Sequence, residues 1–178
     1  MFQTERLIIR KFEESDWKDL YNYLSKAEVV RYEPYEVYEE EESKEEALRR
    51  SKDERFFGVI LKESNILIGN LYFEQINDCF NTWEIGYVFN SDYQRKGYAT
   101  EAVNWLVSYI FDKLKAHRIV AYCNEENIPS WRLLERIDFR REALFIKKDY
   151  FKKDDLGNPL WFNEFGYALL CCEYKKQH

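Results

Sequence analysis

A change of hydrophobic period within one short stretch constrains the fold of this chain more than any other feature. Residues 82–90, TWEIGYVFN, alternate between two faces with a period of two, as a β-strand does. Residues 99–114 instead place apolar residues at alternating intervals of three and one, the spacing of an amphipathic helix. The sequence therefore predicts a strand that passes through a short loop directly into a long helix.

The loop between these two segments, SDYQRKGYA, has the composition of an anion site. It carries one glycine and two adjacent cations in a chain whose net charge is −6. The first N–H groups of a helix lack intrahelical partners and lie at the positive end of its dipole, so they bind phosphate. Neither G-x-x-x-x-G-K-[ST] nor G-x-G-x-x-G is present. A P-loop and a dinucleotide fingerprint are therefore excluded.

The remaining segments predict a mixed sheet with helices on its faces. Helices are expected in EESDWKDLYNYLSKAEVV, in the charged segment after EPYEVY and in ENIPSWRLLERI. The other strands are expected in RLIIRKF, RFFGVILKES, NILIGNLYFEQI, HRIVAYCN, FRREALFIKKDYF and WFNEFGYALLCCEY. The length of 178 residues favours a single domain, 1–178.

Composition narrows the classes of partner. The acidic charge argues against a nucleic-acid or anionic-membrane binder, and no run approaches the ~20 apolar residues of a membrane span. The four cysteines form no C-x-x-C pair and only two histidines exist, so no metal site is expected. Reduced thiols and a charged N-terminal segment predict a cytoplasmic protein without a signal peptide.

Six residues of the loop carry a family resemblance. The run from Gln94 to Ala99, QRKGYA, resembles the Q/R-x-x-G-x-G/A motif of the GCN5-related N-acetyltransferases (GNAT), in which the loop holds the pyrophosphate of acetyl-coenzyme A (acetyl-CoA). Three longer segments resemble the RimJ/RimL-like subgroup, which acetylates ribosomal-protein N-termini: TERLIIRKF, EIGYVFNSDYQRKGYATEAV and HRIVAYCNEENIPSWRLLERIDF. The resemblance covers nearly the whole chain and is weakest over residues 29–54. It implies the α/β GNAT fold, a mixed, mostly antiparallel seven-stranded sheet with helices on both faces.

The resemblance also implies which residues bind the cofactor. Val88 and Phe89 are expected to line the pantetheine arm, and backbone N–H groups near them to stabilise the oxyanion of the reaction. Ordinary ladder pairing is the alternative for these two residues. Asn127 is expected to bind the pantetheine by a hydrogen bond. The pyrophosphate loop comprises Gln94, Arg95, Lys96, Gly97, Tyr98, Ala99 and Thr100.

Two residues are candidates for proton transfer. An amine of pKa near 10 is only about one part in 10³ neutral at pH 7, so a base must take its proton. Glu84, on the minor face of an apolar strand, is the expected base; a solvated or ion-paired glutamate is the alternative. Ser130 lies on the apolar stripe of its helix and, by resemblance, protonates the leaving sulfur and contacts the cofactor. Helix capping is the alternative for Asn127 and Ser130.

Two positions depart from the family pattern. Leu134 stands where many acetyltransferases carry a tyrosine that acts as general acid, so that mechanism is not expected here. Asp138 replaces the usual glycine before Phe139. The turn there is expected to need a left-handed backbone, which aspartate tolerates better than most residues do.

The implied reaction is acetyl transfer to an amine in a direct ternary complex. A peptide N-terminus is the first expected acceptor, and a polyamine or aminoglycoside-like amine is the second. A different acyl donor and a CoA-binding module without catalysis remain open. Seven glutamates over residues 36–46 predict a solvated face or, alternatively, an acidic rim for a cationic substrate. The assembly is expected to be a monomer or a homodimer.

Overall fold

The structure, a computed structural model, describes residues 1–176. Eight strands and six α-helices are formed in this part of the chain. The strands are β1 (Phe2–Gln3), β2 (Leu7–Arg10), β3 (Phe56–Leu61), β4 (Ile66–Asn77), β5 (Thr82–Phe89), β6 (Arg118–Asn124), β7 (Arg140–Asp149) and β8 (Phe162–Leu170). The helices are α1 (Trp17–Leu24), α2 (Ala27–Val30), α3 (Glu40–Ser51), α4 (Tyr98–Asp112), α5 (Ile128–Arg136) and α6 (Cys171–Tyr174).

The strands follow the order β1-β2-β3-β4-β5-β6-β8-β7 in one mixed sheet. The pairs β1–β2, β2–β3, β3–β4, β6–β8 and β7–β8 are antiparallel, and β5–β6 is parallel. The mixed, mostly antiparallel sheet is therefore confirmed. The expected count of seven strands is wrong, because β1 forms an eighth through the pair Phe2↔Ile9. Two residues are too few to show a strand period in sequence.

Two predicted elements are also corrected. The single helix expected between residues 13 and 30 is a 3₁₀ turn (Glu14–Asp16) followed by α1 and α2. It breaks at Lys26, whose backbone is extended (φ −92°, ψ 118°). The last predicted strand ends at Leu170, and Cys171–Tyr174 form α6 instead. A short apolar run does not distinguish strand from helix by periodicity, which explains the second error.

The chain divides into two compact units. The first comprises Met1–Phe73 and Gly86–Leu106, and the second comprises Glu74–Ile85 and the chain from Val107 onward. In the second unit, α5 buries Leu133 and Leu134, and the chain then turns through Asp138 with φ 67°. The Phe139 N–H donates to the Leu134 carbonyl at 3.0 Å and closes this turn. The left-handed backbone expected at the aspartate is therefore confirmed.

A buried polar cluster lies within the core of the first unit. Arg50 of α3 is only 2% exposed, and its side chain reaches Asn70 of β4. Its Nε donates to Glu46 Oε1 at 2.6 Å and its Nη1 to Asn70 Oδ1 at 2.8 Å. The Tyr23 hydroxyl donates to the same Asn70 oxygen at 2.9 Å. The guanidinium is thus paired and hydrogen-bonded, as a charge removed from water must be.

This cluster predicts unequal effects of two matched substitutions on α3. Glu46→Gln removes the countercharge of buried Arg50 and should lower the free energy of unfolding by about 3–5 kcal/mol. Glu41→Gln breaks a surface pair with Lys44, in which Glu41 is 82% exposed, and should cost less than about 1 kcal/mol. Urea denaturation followed by circular dichroism measures both. Equal losses in the two variants would contradict the structural role given to Glu46.

Candidate functional site

The loop after β5 is anchored at its first residue. Asn90 is buried, and its N–H donates to the Ile68 carbonyl at 2.9 Å. Its side-chain oxygen accepts from the Asp92 N–H at 3.1 Å and from Lys26 Nζ at 2.8 Å. A short 3₁₀ turn, Ser91–Tyr93, follows. These contacts fix where the loop leaves the sheet.

Two left-handed residues shape the rest of the loop. Arg95 has φ 61° and Gly97 has φ 83°, and α4 begins at the next residue, Tyr98. The Glu101 N–H donates to the Gly97 carbonyl at 3.0 Å and forms the first turn of α4. Left-handed residues within a turn gather successive N–H groups into an anion-binding concavity, and a helix N-terminus adds to it.

The loop leaves its backbone open at the N-terminus of α4. Gln94, Arg95, Lys96 and Gly97 are exposed, whereas Tyr98, Ala99 and Thr100 are half-buried in the first turn of α4. A Cβ added at Gly97 would lie 3.3 Å from Arg6 Nη2, and the backbone there disfavours any L side chain. Glycine therefore keeps this surface open for a ligand at the helix N-terminus.

Val88 and Phe89 lie at the end of β5. The ladder between β5 and β6 comprises three pairs, Thr82 to Glu84 on β5, and both residues lie beyond it. A Cβ on Gly69 of β4 would come within 2.6 Å of the Val88 carbonyl oxygen and of the Phe89 ring. Gly69 thus permits their close packing, a contribution that the sequence did not reveal.

Glu84 is half-buried within the second unit. Burial raises the pKa of its carboxyl above the ordinary value, the neighbouring charges of Glu164 and Glu74 raise it further, and Lys148 opposes them. The strand register places Glu164 on the same face of the sheet as Glu84. Glu84 pairs with Val120, and the β6–β8 ladder carries the same face of the sheet on to Glu164.

Lys148 completes this group of charges. Its Nζ forms an ion pair with Glu164, which is only 9% exposed. The same ammonium lies 4.7 Å from the centre of the Tyr122 ring and 5.1 Å from that of Phe145. It is therefore held by a carboxylate and two aromatic faces. No sequence motif predicted Lys148 or Glu164, since β7 and β8 bring them together only in the folded sheet.

The residues at the start of α5 are engaged with each other. Asn127 Oδ1 accepts from the Ser130 N–H at 3.3 Å, so Asn127 is the N-cap of α5. The cofactor contact of Asn127 stays a prediction. Ser130 is hydrogen-bonded to the Cys123 thiol, and burial raises the pKa of that thiol to about 11 despite this bond. Leu134 is buried, so α5 presents an apolar side chain at this position, as the sequence indicated.

The described residues contain neither a membrane-spanning helix nor a cluster of metal-ligating side chains. Within residues 1–176, no helix combines the length and the apolar character needed to cross a membrane. In the same residues, no group of three or more histidine, cysteine, aspartate or glutamate side chains is arranged to hold a metal ion.

Comparison with known proteins places this geometry in a family. Residues 6–140 match the profile of the acetyltransferase (GNAT) domain. The uncharacterised N-acetyltransferase YnaD of Bacillus subtilis is 42% identical over 168 residues, which cover 94% of this chain and 95% of YnaD. The crystal structure of a GNAT-family acetyltransferase from Bacillus anthracis is 40% identical and superposes with a TM-score of 0.87, covering 96% of this chain and 98% of that one.

More distant structures share the fold. The ribosomal-protein-S5-alanine acetyltransferase of Vibrio fischeri is 24% identical with a TM-score of 0.78, covering 95% of each chain. The spermidine N-acetyltransferase of Vibrio cholerae, solved with CoA and spermine, is 22% identical with a TM-score of 0.79, covering 97% of this chain and 99% of that one. The family profile and the YnaD identity together establish that this chain belongs to the GNAT family and is an N-acetyltransferase.

Proposed function

We propose that the protein transfers an acetyl group from acetyl-CoA to a primary amine within a direct ternary complex, and that Glu84 takes the proton of the amine. The observation that carries this proposal is the environment of Glu84. Its carboxyl is half-buried and lies among Glu164, Glu74 and Lys148, so the pKa is raised. A carboxylate with a raised pKa is a stronger base than an ordinary one at neutral pH.

Acetyl-CoA, when bound, supplies an activated acetyl group as a thioester. In the first unit, the loop Gln94 to Thr100 binds its diphosphate through main-chain N–H groups, with Arg95 and Lys96 adding positive charge. Val88 and Phe89 line the pantetheine arm, and N–H groups near them stabilise negative charge on the thioester oxygen. In the second unit, Asn127 binds the pantetheine through its side-chain amide.

Ser130 is proposed to return a proton to the leaving sulfur from its Oγ. Its hydrogen bond with the Cys123 thiol orients the hydroxyl, and the raised pKa of that thiol keeps Cys123 protonated at neutral pH. A thiol of pKa near 8.5 can also leave as the thiolate without an acid. The contribution of Ser130 to rate is therefore smaller than that of Glu84.

A protein or peptide N-terminus is the first acceptor that we propose. Three long segments of the chain resemble the RimJ/RimL-like subgroup, and the ribosomal-protein-S5-alanine acetyltransferase shares the fold. An α-amino group has a pKa near 8, so a larger fraction is neutral at pH 7 than for a lysine. A carboxylate base therefore has to remove the proton from a smaller fraction of such an acceptor than of a lysine side chain.

A small polyamine is the second candidate, and one cavity of the first unit favours it. The cavity, of about 510 Å³, is lined by Tyr35, Tyr38 and Arg49 and by three acidic residues of α3, Glu42, Glu45 and Glu46, the last of which pairs with Arg49 and Arg50. The two tyrosine rings lie 5.3 Å apart in an edge-to-face arrangement. Carboxylates attract ammonium groups, and aromatic faces pack on alkyl segments and cations. The spermidine N-acetyltransferase among the structural matches is consistent with this candidate.

Parallel assays of CoA thiol release distinguish these acceptors. Acetyl-CoA is offered with ribosomal-protein N-terminal peptides, polyamines and aminoglycosides, and the acetylated products are identified by mass spectrometry. The proposal expects the peptides to be acetylated with the highest kcat/KM. Higher kcat/KM for a polyamine would favour the second candidate. Tight CoA binding without release of thiol for any amine would indicate a binding module without catalysis.

Substitution of Glu84 tests its role as the base. Glu84→Gln keeps the shape of the side chain but cannot accept the proton, so kcat should fall by about 10²–10⁴ while the Kd for CoA is unchanged. Glu74→Gln, which removes a neighbouring carboxylate, should retain nearly full kcat. Steady-state kinetics and calorimetric titration measure the two quantities. Unchanged turnover in Glu84→Gln would show that Glu84 is not the base.

The charges around Glu84 predict a shift in pH dependence. Three charged groups act on it: Glu164 and Glu74 raise its pKa, and Lys148 lowers it. Lys148→Met should therefore raise the pKa of Glu84. Because the ionised carboxylate is the active form, the acidic limb of the kcat/KM profile should move to higher pH.

Lys147→Met is the control for this shift. Lys147 is the neighbour of Lys148 in β7 but is not among the groups that shift the pKa of Glu84. The acidic limb of the kcat/KM profile of Lys147→Met should coincide with that of the unchanged protein. An identical shift in both variants, or none in Lys148→Met, would contradict the assignment.

A further inference from the structure

Arg6 connects the start of β2 to the loop before α4. Its Nε donates to Glu101 Oε2 at 2.7 Å and its Nη1 donates to the Lys96 carbonyl at 2.9 Å. The guanidinium carbon also lies 4.7 Å from the centre of the Tyr98 ring. One side chain thus contacts both the loop and the first turn of α4. Arg6 lies in the segment TERLIIRKF, and the proposed reaction assigns no role to this segment.

The bond to Lys96 controls the direction of the next N–H group. The peptide between Lys96 and Gly97 is planar and trans, so its C=O and N–H point in opposite directions. Because Arg6 donates a hydrogen bond to the Lys96 carbonyl, the Gly97 N–H is directed away from Arg6. Gly97 has the positive φ that this orientation of the loop requires. Arg6 therefore fixes the direction of the Gly97 N–H, which could otherwise rotate with its peptide.

Glu101 anchors Arg6 and is itself held by three donors. Oε1 accepts from the Thr4 hydroxyl at 2.6 Å and from the Arg6 N–H at 2.8 Å, in addition to the Nε bond on Oε2. Partial burial opposes ionisation, but these bonds hold the pKa of Glu101 below its ordinary value. A carboxylate in the first turn of a helix is favoured by the dipole but repels a bound anion. Arg6 compensates that charge at the same place.

We infer that Arg6 and Glu101 are positioning residues for CoA, which hold the loop in its anion-binding conformation and balance the charge beside the diphosphate. This inference rests on the proposed function, because the loop must bind CoA for the pair to have this role. Neither residue is assigned to the chemical step. Their substitution should therefore weaken binding of any ligand that carries the diphosphate, and spare a ligand that lacks it.

Arg10, the last residue of β2, provides a matched control close to Arg6 in sequence. Its guanidinium forms two hydrogen bonds with Asp16, at 2.8 and 2.7 Å. Arg10→Met thus removes a comparable ion pair from β2, but one directed to the 3₁₀ turn before α1. A purely structural role for Arg6 would make the two variants behave alike.

The experiment measures the Kd for CoA by calorimetric titration, and kcat/KM with acetyl-CoA and with S-acetylpantetheine, which lacks the diphosphate. Arg6→Met should raise the Kd for CoA about tenfold, the effect of losing one charge-assisted hydrogen bond. Arg6→Lys keeps the charge without the guanidinium geometry, so its Kd for CoA should lie between those of the unchanged protein and Arg6→Met. Arg6→Met should leave kcat/KM for S-acetylpantetheine unchanged, and Arg10→Met should leave the Kd for CoA unchanged.

The outcomes separate this inference from the proposed function. Equal Kd values for Arg6→Met and the unchanged protein, or equal increases in Arg6→Met and Arg10→Met, overturn the inference alone. Failure of the unchanged protein to bind CoA overturns the proposed function and the inference with it. Should Arg6→Met not fold, as judged by circular dichroism, Glu101→Gln breaks the same contact. In that variant an unchanged Kd for CoA again overturns the inference.

Discussion

The left-handed backbone at Gly97 is the constraint on which the rest of the candidate site depends. It ends the loop after β5 and starts α4 at the next residue, so the helix N-terminus lies beside exposed backbone. An L side chain is strained in this conformation and would approach Arg6. Contacts from Asn90 at one end and from Arg6 and Glu101 at the other hold the loop in place. The proposed anion site is thus built from backbone N–H groups, and the side chains around the loop fix the direction of those groups.

The candidate base is tuned by a second set of contacts that is independent of the loop. Glu84 lies on a half-buried face, where an unpaired carboxylate is costly. Lys148 moderates this cost, and it is itself retained by Glu164 and the Tyr122 ring. Acetyl transfer to an amine requires a base, since the acceptor is mostly protonated at neutral pH.

The local sequence pattern predicted the helices and strands that carry the candidate site. It did not predict the contacts between residues that lie far apart in the sequence. The three-and-one spacing identified α4, and the aspartate before Phe139 indicated the left-handed turn that the structure contains. Cys171–Tyr174 were assigned to a strand because a short apolar run fits either element. The Arg6–Glu101 and Lys148–Glu164 pairs arise from sheet and loop packing. Their spacing in sequence follows no period, so no local pattern could indicate them.

The most direct test of the account compares CoA binding by two glycine variants with the same backbone strain. Gly97 and Gly157 both have φ 83°, and a side chain at Gly157 meets no atom within 4 Å. Calorimetric titration with CoA should show that Gly97→Glu raises the Kd more than about tenfold, by bulk and by repulsion of the diphosphate. Gly157→Glu should bind CoA as the unchanged protein does. Unchanged CoA affinity in Gly97→Glu would contradict the assignment of this loop as the cofactor site.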